Sequence, residues 1–358
     1  MMQHPHADTM HDAWNPGVSR RIPREFQHLE TIYVDEPASP GLDLVEDFAR
    51  LSGLPHEELA MFGPARLALH EVIVRVTADI AVSEGASEEV FGRNFRRIAG
   101  TIVSDYVAPR MPELEAMHDH LRRRTGERVR TLLEARLDAM PEKPRPAPFP
   151  FNLFRRQQRE AVPGGRREEH EHRVVARFKT EGLASTDAFE RAVFRSLYRV
   201  LGAVLAHRGH LGRDHGILAE MATRLVCNTY GSRLIGEAIG SLIESAIDAE
   251  GYTRVLNRAA PVLISLKGAS AAGKSSIRPM IKRLMRDNGI EPDGYATISP
   301  DVWRRLLIDY DALGAAYKYA GHLTSREVMV IDAKLDRYIR DKANRAQAIS
   351  HLLVDRFR

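Results

Sequence analysis

Residues 268–275 read Gly268-Ala269-Ser270-Ala271-Ala272-Gly273-Lys274-Ser275, with Ser276 following, which is the G-x-x-x-x-G-K-S spacing of a phosphate-binding loop. Gly268 and Gly273 let the backbone turn and approach oxygen atoms without a Cβ in the way. The loop amides and the N-terminus of a following helix offer donors and a positive dipole end to phosphate. Lys274 is spaced to reach the β- and γ-phosphates of ATP, and the Ser275 hydroxyl to hold Mg²⁺. The motif needs a strand before it and a helix after it. Val262–Leu266 is an apolar run that reads as a buried parallel strand. Ile277, Ile281, Leu284 and Met285 then recur at helical spacing.

Two carboxylates extend this chemistry. Tyr295–Ile298 reads as a second strand, and Ser299-Pro300-Asp301 follows at its end. In open parallel sheets the ligand crevice lies at the carboxyl ends of the strands, so Asp301 is aimed where the phosphate loop is. It can accept a proton from an attacking hydroxyl, while Arg304 or Arg305 neutralises phosphate charge. Asp301 can equally serve as the N-cap of the next helix. Further on, His351–Val354 is an apolar strand ending in Asp355, the Walker B form, whose carboxylate organises Mg²⁺ directly or through water.

These segments resemble the zeta-toxin-like P-loop kinases. The stretch Ser299-Pro-Asp-Val-Trp-Arg-Arg-Leu-Leu-Ile-Asp-Tyr310 is similar to their N-P-D-x-x-R-x-x-L-P-x-Y. Thr324-Ser-Arg-Glu327-Val-Met-Val-Ile331 is similar to the helix that presents a substrate-contacting glutamate in that family. The resemblance covers about residues 260–358. It implies ATP and Mg²⁺, with Asp301 as base and phosphoryl transfer to a hydroxyl of a sugar nucleotide or another small molecule. It also implies a substrate contact for Glu327, with Asp355 an alternative acid on the substrate side, and leaves room for an antitoxin or chaperone protein as partner. This chain departs from the pattern at Ala271 and Ala272 in the loop, and at Ile308-Asp309 where Leu-Pro is common.

The elements that must position these groups divide the chain unevenly. Residues 1–40 carry several histidines and prolines without a sustained period and read as a disordered tail. Residues 41–140 are helical: Phe91, Phe95, Ile98 and Ile102 form one core stripe, and an Arg-rich helix runs from Leu114 to Met140. A Pro/Gly/Arg-rich linker over 141–167 follows, because alternating prolines exclude helix and central strand. Helix resumes over 168–257, with Asp187 and Glu190 in a capping-box-like start and Gly236 and Gly240 permitting close helix packing rather than ligand approach. A P-loop domain occupies 258–358. The expected fold is thus a mostly α region followed by a partial α/β kinase domain with three parallel strands, in the kinase-type order 1-3-2. That topology leaves the strand at 262–266 on an edge, bare or covered only by N-terminal helices. Kinase cores of this type carry further strands and a lid arginine, so the segment is expected to be C-terminally truncated and catalytically incomplete.

Composition narrows the remaining classes. Hydrophobic residues at 44% and charged residues at 28% are those of an ordinary globular chain. The single Cys227 excludes a disulfide framework and lies in an apolar helical pattern, as a buried structural thiol does. The net charge is +4, and a local surplus of ten Lys/Arg over five Glu falls within 141–180. A solvated linker accounts for that surplus better than a nucleic-acid surface, so nucleic acid is not an expected partner. There is neither a secretory signal nor an apolar run long enough to span a membrane. A cytoplasmic location follows, with later export as an effector left open. Two rivals to the kinase remain: a nucleotide-regulated interaction or ATPase module whose helices bind a protein partner, and a helical protein with an inactive P-loop portion.

Overall fold

The computed structural model describes residues 22–35, 41–85, 88–138, 163–267 and 274–355. In chain order the helices are α1 (Gly41–Ser52), α2 (His56–Leu59), α3 (Pro64–Asp79), α4 (Glu88–Thr101), α5 (Met111–Leu133), α6 (Pro163–Ala184), α7 (Ala188–Arg208), α8 (His215–Val226) and α9 (Ser232–Ala249). Then come β1 (Leu263–Leu266), α10 (Lys274–Asp287), β2 (Tyr295–Ile298), α11 (Pro300–Leu307), α12 (Ala320–Leu323), α13 (Ser325–Ala346) and β3 (His351–Asp355). They gather into two compact units that interleave along the sequence. One takes the described residues of Met1–Glu36, Phe62–Ala116 and Ser232–Arg358, the other those of Pro37–Met61 and Met117–Gly231.

The second unit is helical. Asp187 caps α7 by accepting the Glu190 amide at 2.7 Å, and Gly209 ends the helix in the left-handed region at φ +79°. Its core is built from Phe178, Val193, Leu197, Leu201, Leu218 and Met221. The Leu114–Met140 helix begins earlier, at Met111, and loosens into a π-type turn over Glu134–Asp138. α6 likewise begins at Pro163, inside the stretch read as linker: proline at a first helical position lacks only an amide that has no partner there. The rest of the expected linker, 141–162, lies outside the described residues.

The first unit holds the sheet, and α3 is its central helix. Leu67, Val72, Ile73, Val74 and Val76 bury α3 on nearly every side. The three strands are parallel in the order β1-β3-β2, as the kinase-type topology requires. Central β3 buries Leu352, Leu353 and Val354, and α10 lays Ile281 and Met285 against that layer with Tyr295. β1 is a poorly covered edge, as the order 1-3-2 leads us to expect, although its apolar run alone reads as a buried strand: Leu263 is 63% exposed and Val262, just before it, 43%. Its outer side has no neighbouring strand among the described residues. The tail expected over 1–40 is ordered at 22–35. Arg24–Leu29 and Thr31–Tyr33 form 3₁₀ turns, because Ile22, Phe26 and Leu29 pack on a cluster of Leu313, Ala316, Ala320 and Leu323. No described helix is long and apolar enough to cross a membrane.

Candidate functional site

The register of the sheet decides which residues share its carboxyl edge. Leu266 of β1 pairs with Asp355 of β3, and Ile298 of β2 pairs with Val354. The chain leaving β1, the Ser299-Pro300-Asp301 turn leaving β2 and Asp355 therefore stand at the same end of three parallel strands. Gly268, Ala269, Ser270, Ala271, Ala272 and Gly273 lie outside the described residues. Lys274, Ser275 and Ser276 open α10, so the segment between β1 and α10 is the stretch that the loop motif occupies.

Asp301 sits in the first turn of α11, one residue beyond Pro300, with Ser299 as the cap residue. Its side chain is 51% exposed and accepts a hydrogen bond from Arg304 Nε at 2.9 Å. Arg304 is itself drawn inward: it donates to the Gly321 carbonyl and to Thr324 Oγ1, both at 2.6 Å. A guanidinium spent on three acceptors ties α11 to the start of α13, and it orients Asp301. α11 is anchored from below by Trp303, which is 1% exposed, and by Val302 and Leu307.

Asp355 is nearly buried and paired with Arg278, one turn into α10 from Lys274. Arg278 and Lys282 stand four apart and Arg286 four further on, so all three share one face of α10. That face lines a cavity of about 810 Å³ together with Glu84, Asp293 and Thr297. Glu84 is the organising acid. It accepts from Tyr295 Oη at 2.9 Å and Thr297 Oγ1 at 3.0 Å, and it pairs with Lys282. Burial and that carboxylate together push the Tyr295 phenol above its usual value.

Glu327 lies elsewhere, in the interior beneath α3. Its side chain is 0% exposed. Arg66 grips it bidentately, with Nε to Oε1 at 2.5 Å and Nη2 to Oε2 at 2.6 Å, and also donates to the Leu307 carbonyl. His70, one turn along α3, approaches the same Oε1 through Nε2 at 2.6 Å, and Lys334 of α13 reaches His70 Nδ1 at 3.0 Å. The geometry names the tautomer: an ammonium can only donate, so Nδ1 must accept and Nε2–H must donate to the carboxylate. His70 is therefore neutral. Burial holds its pKa down to about 4 and the Lys334 charge acts in the same direction. Burial alone would raise the Glu327 carboxyl, but His70 and Arg66 outweigh it and hold it at about 2. A carboxylate so enclosed is a structural counter-ion. A second ionic knot joins the same helices: Asp79 receives Arg75 Nε at 2.6 Å, Tyr338 Oη at 2.6 Å and Lys342 Nζ at 2.8 Å.

The structure thus gathers Asp301, Arg304 and Asp355 at or near the sheet edge and separates Glu327 from solvent. Arg66, His70, Lys334, Arg278 and Glu84 were not singled out in the sequence. The available signal was polar residues inside apolar helical runs, but no local spacing ties His70 to an acid more than 250 positions away. Among the described residues no group of three or more His, Cys, Asp or Glu is arranged to hold a metal ion. Compared with protein-family models, with curated proteins and with solved structures, the chain matches none of them.

Proposed function

We propose that the P-loop portion is an ATP-dependent kinase of zeta-toxin-like type that transfers the γ-phosphoryl group to a hydroxyl of a small molecule. The observation that carries this reading is the sheet edge: three parallel strands in the order β1-β3-β2 bring the loop segment, Asp301 and Asp355 to one end. Lys274 and the loop amides would bind the phosphates. Asp301, exposed and oriented by Arg304, is free to approach an acceptor and take its proton as the new O–P bond forms. Asp355 and the Ser275 hydroxyl are hard oxygen donors of the kind Mg²⁺ takes alongside nucleotide phosphates. When bound, the ion supplies charge neutralisation on the transferring phosphate. Arg278 pairs with Asp355 and holds the carboxylate at that edge.

Calorimetry with ATP·Mg²⁺ tests the binding half: Lys274→Ala should weaken affinity by a loss of about 1.5–3 kcal/mol, and equal affinities reject it. In a full-length, transfer-competent version, Asp301→Asn should abolish transfer while ATP affinity stays. Transfer retained in that variant removes Asp301 as base.

The alternative, a nucleotide-regulated interaction module, draws on a different observation. Val262, Leu263, Ile277, Met280 and Leu284 of the β1 and α10 region are all exposed, an apolar surface of a kind that marks interaction sites. ATP hydrolysis without transfer to any hydroxyl substrate would favour it.

A further inference from the structure

A groove of about 570 Å³ runs between α9 and α13, with α3 as its floor. That volume suits a small organic ligand. Ser232, Gly236 and Gly240 recur every fourth residue on the α9 wall: Gly236 lets the Glu71 side chain pack close, Gly240 stands more open, and Arg233 and Glu237 flank them. At the floor lies Lys334, 8% exposed. An ammonium has three donors, and Lys334 spends one, on His70 Nδ1. The others meet no acceptor among the described residues. Lys334 is held rigidly, because His70 behind it is fixed by Glu327 and Glu327 by Arg66.

Two arginines of α13 line the same groove beside this buried cation. Arg337 makes no hydrogen bond or ion pair among the described residues, and the Arg345 hydrogen bond goes to the Asp341 carbonyl of its own helix. Burial lowers the Lys334 pKa to about 8; the Glu71 and Glu327 carboxylates oppose that shift, and Arg337 adds to it. The acids of the groove answer only part of this. Glu71 accepts from Ser232 Oγ at 2.8 Å, and Glu237 faces Arg233 at 3.7 Å on its own helix. Asp341 stands between the two arginines along α13 without pairing with either.

We propose that this groove binds a small organic oxyanion, a phosphate monoester or carboxylate, with Lys334 donating at its floor and Arg337 and Arg345 closing on it from the α13 wall. The site is separate from the P-loop segment and does not depend on the kinase reading.

The experiment titrates inorganic phosphate, glucose 6-phosphate and citrate into the full chain by calorimetry. It is run in the Lys274→Ala background, so that any phosphate binding at residues 268–275 is weakened and the groove variants below report on the groove alone. Binding of glucose 6-phosphate above inorganic phosphate assigns a phosphate monoester, and binding of citrate alone assigns a carboxylate. Arg337→Gln with Arg345→Gln should weaken the bound probe by about tenfold or more, since charge-assisted bonds are lost. Gly240→Leu provides a second route that spares the charges. A Cβ at 240 meets nothing closer than Arg75 Nη1 at 3.8 Å, so a side chain there starts into the groove without a backbone clash. It should abolish binding while thermal stability is kept. If none of the three probes binds at millimolar concentration, or if binding survives both variants, the proposal is overturned.

Discussion

Glu327→Gln separates a structural counter-ion from a substrate contact. The amide keeps the shape of the carboxylate and removes its charge. Oε1 now accepts from both Arg66 Nε and His70 Nε2, and Oε2 accepts from Arg66 Nη2. A glutamine that keeps its oxygen at the first position turns an NH₂ toward Nη2, donor against donor. One charge-assisted bond is lost, worth about 1.5–3 kcal/mol. The Arg66 guanidinium and the Lys334 ammonium also remain in the interior without their anion. Removing one partner of a buried pair destabilises by about 3–5 kcal/mol, and that is the expected loss. Against a total of about 5–15 kcal/mol for a typical domain it is a large fraction. Urea unfolding followed by the fluorescence of Trp303, buried in the same unit, reads it directly. Adding Arg66→Met should recover part of the loss, because the stranded cation goes too. A Glu327→Gln protein within about 0.5 kcal/mol of wild type, the range of an ordinary surface change, would refute the network and return Glu327 to the role of substrate contact.

Acid should weaken the first unit before carboxylates titrate. His70 is neutral when folded, with a pKa near 4, and binds a proton near 6.5 when unfolded, so stability falls as pH drops from 6.5 towards 4, by up to about 3 kcal/mol. Urea midpoints measured from pH 7 to pH 5 should show this slope, and His70→Gln should flatten it. Cys227 is buried and its thiol is pushed up to about 12, so a thiolate-selective alkylating reagent should leave the folded protein unmodified at neutral pH and react only after denaturation. Asp187→Ala should cost about 1 kcal/mol through loss of the α7 cap, measurable as a lower urea midpoint for the second unit, with unchanged stability refuting the cap.

Legibility followed the range of the interactions. The three strands are short apolar runs between breakers, and each was readable within a residue of its observed ends. Their order came from the kinase-type topology, and the α7 cap from a local Asp187–Glu190 spacing. Asp301 and Asp355 were readable as well, because a position just past a strand fixes which end of a parallel sheet a residue occupies. Arg66, His70 and Lys334 were hidden since each is one polar residue on an otherwise apolar helix, and what gives it meaning comes from another helix far along the chain. Glu84 was hidden for the same reason: its partners lie on β2 and α10. Residues 22–35 looked structureless because their apolar side chains are too few for a period, although enough to pack against the α12 neighbourhood. The interleaving of the two units has no compositional mark, as the chain passes between them at Glu36, Met61, Ala116 and Gly231 with no run of breakers common to all four places.

The sequence distance inside the Arg66–Glu327 pair, 261 residues, governs how this protein can be made. A ribosome adding about 5–20 residues per second delivers the glutamate on the order of 10–50 s after the arginine. Within that interval α3 gains α4 and then α9 as neighbours, but the face that α13 will cover stays open and the Arg66 guanidinium has no anion. The second unit needs no such wait, because Met117–Gly231 emerges as one stretch and its other segment has already been made. Non-local closure of this kind slows folding and lengthens exposure to aggregation. Slower translation between residues 116 and 325 should therefore lower soluble yield, and a nascent-chain holdase should restore it: the helix synthesised among the first is locked among the last.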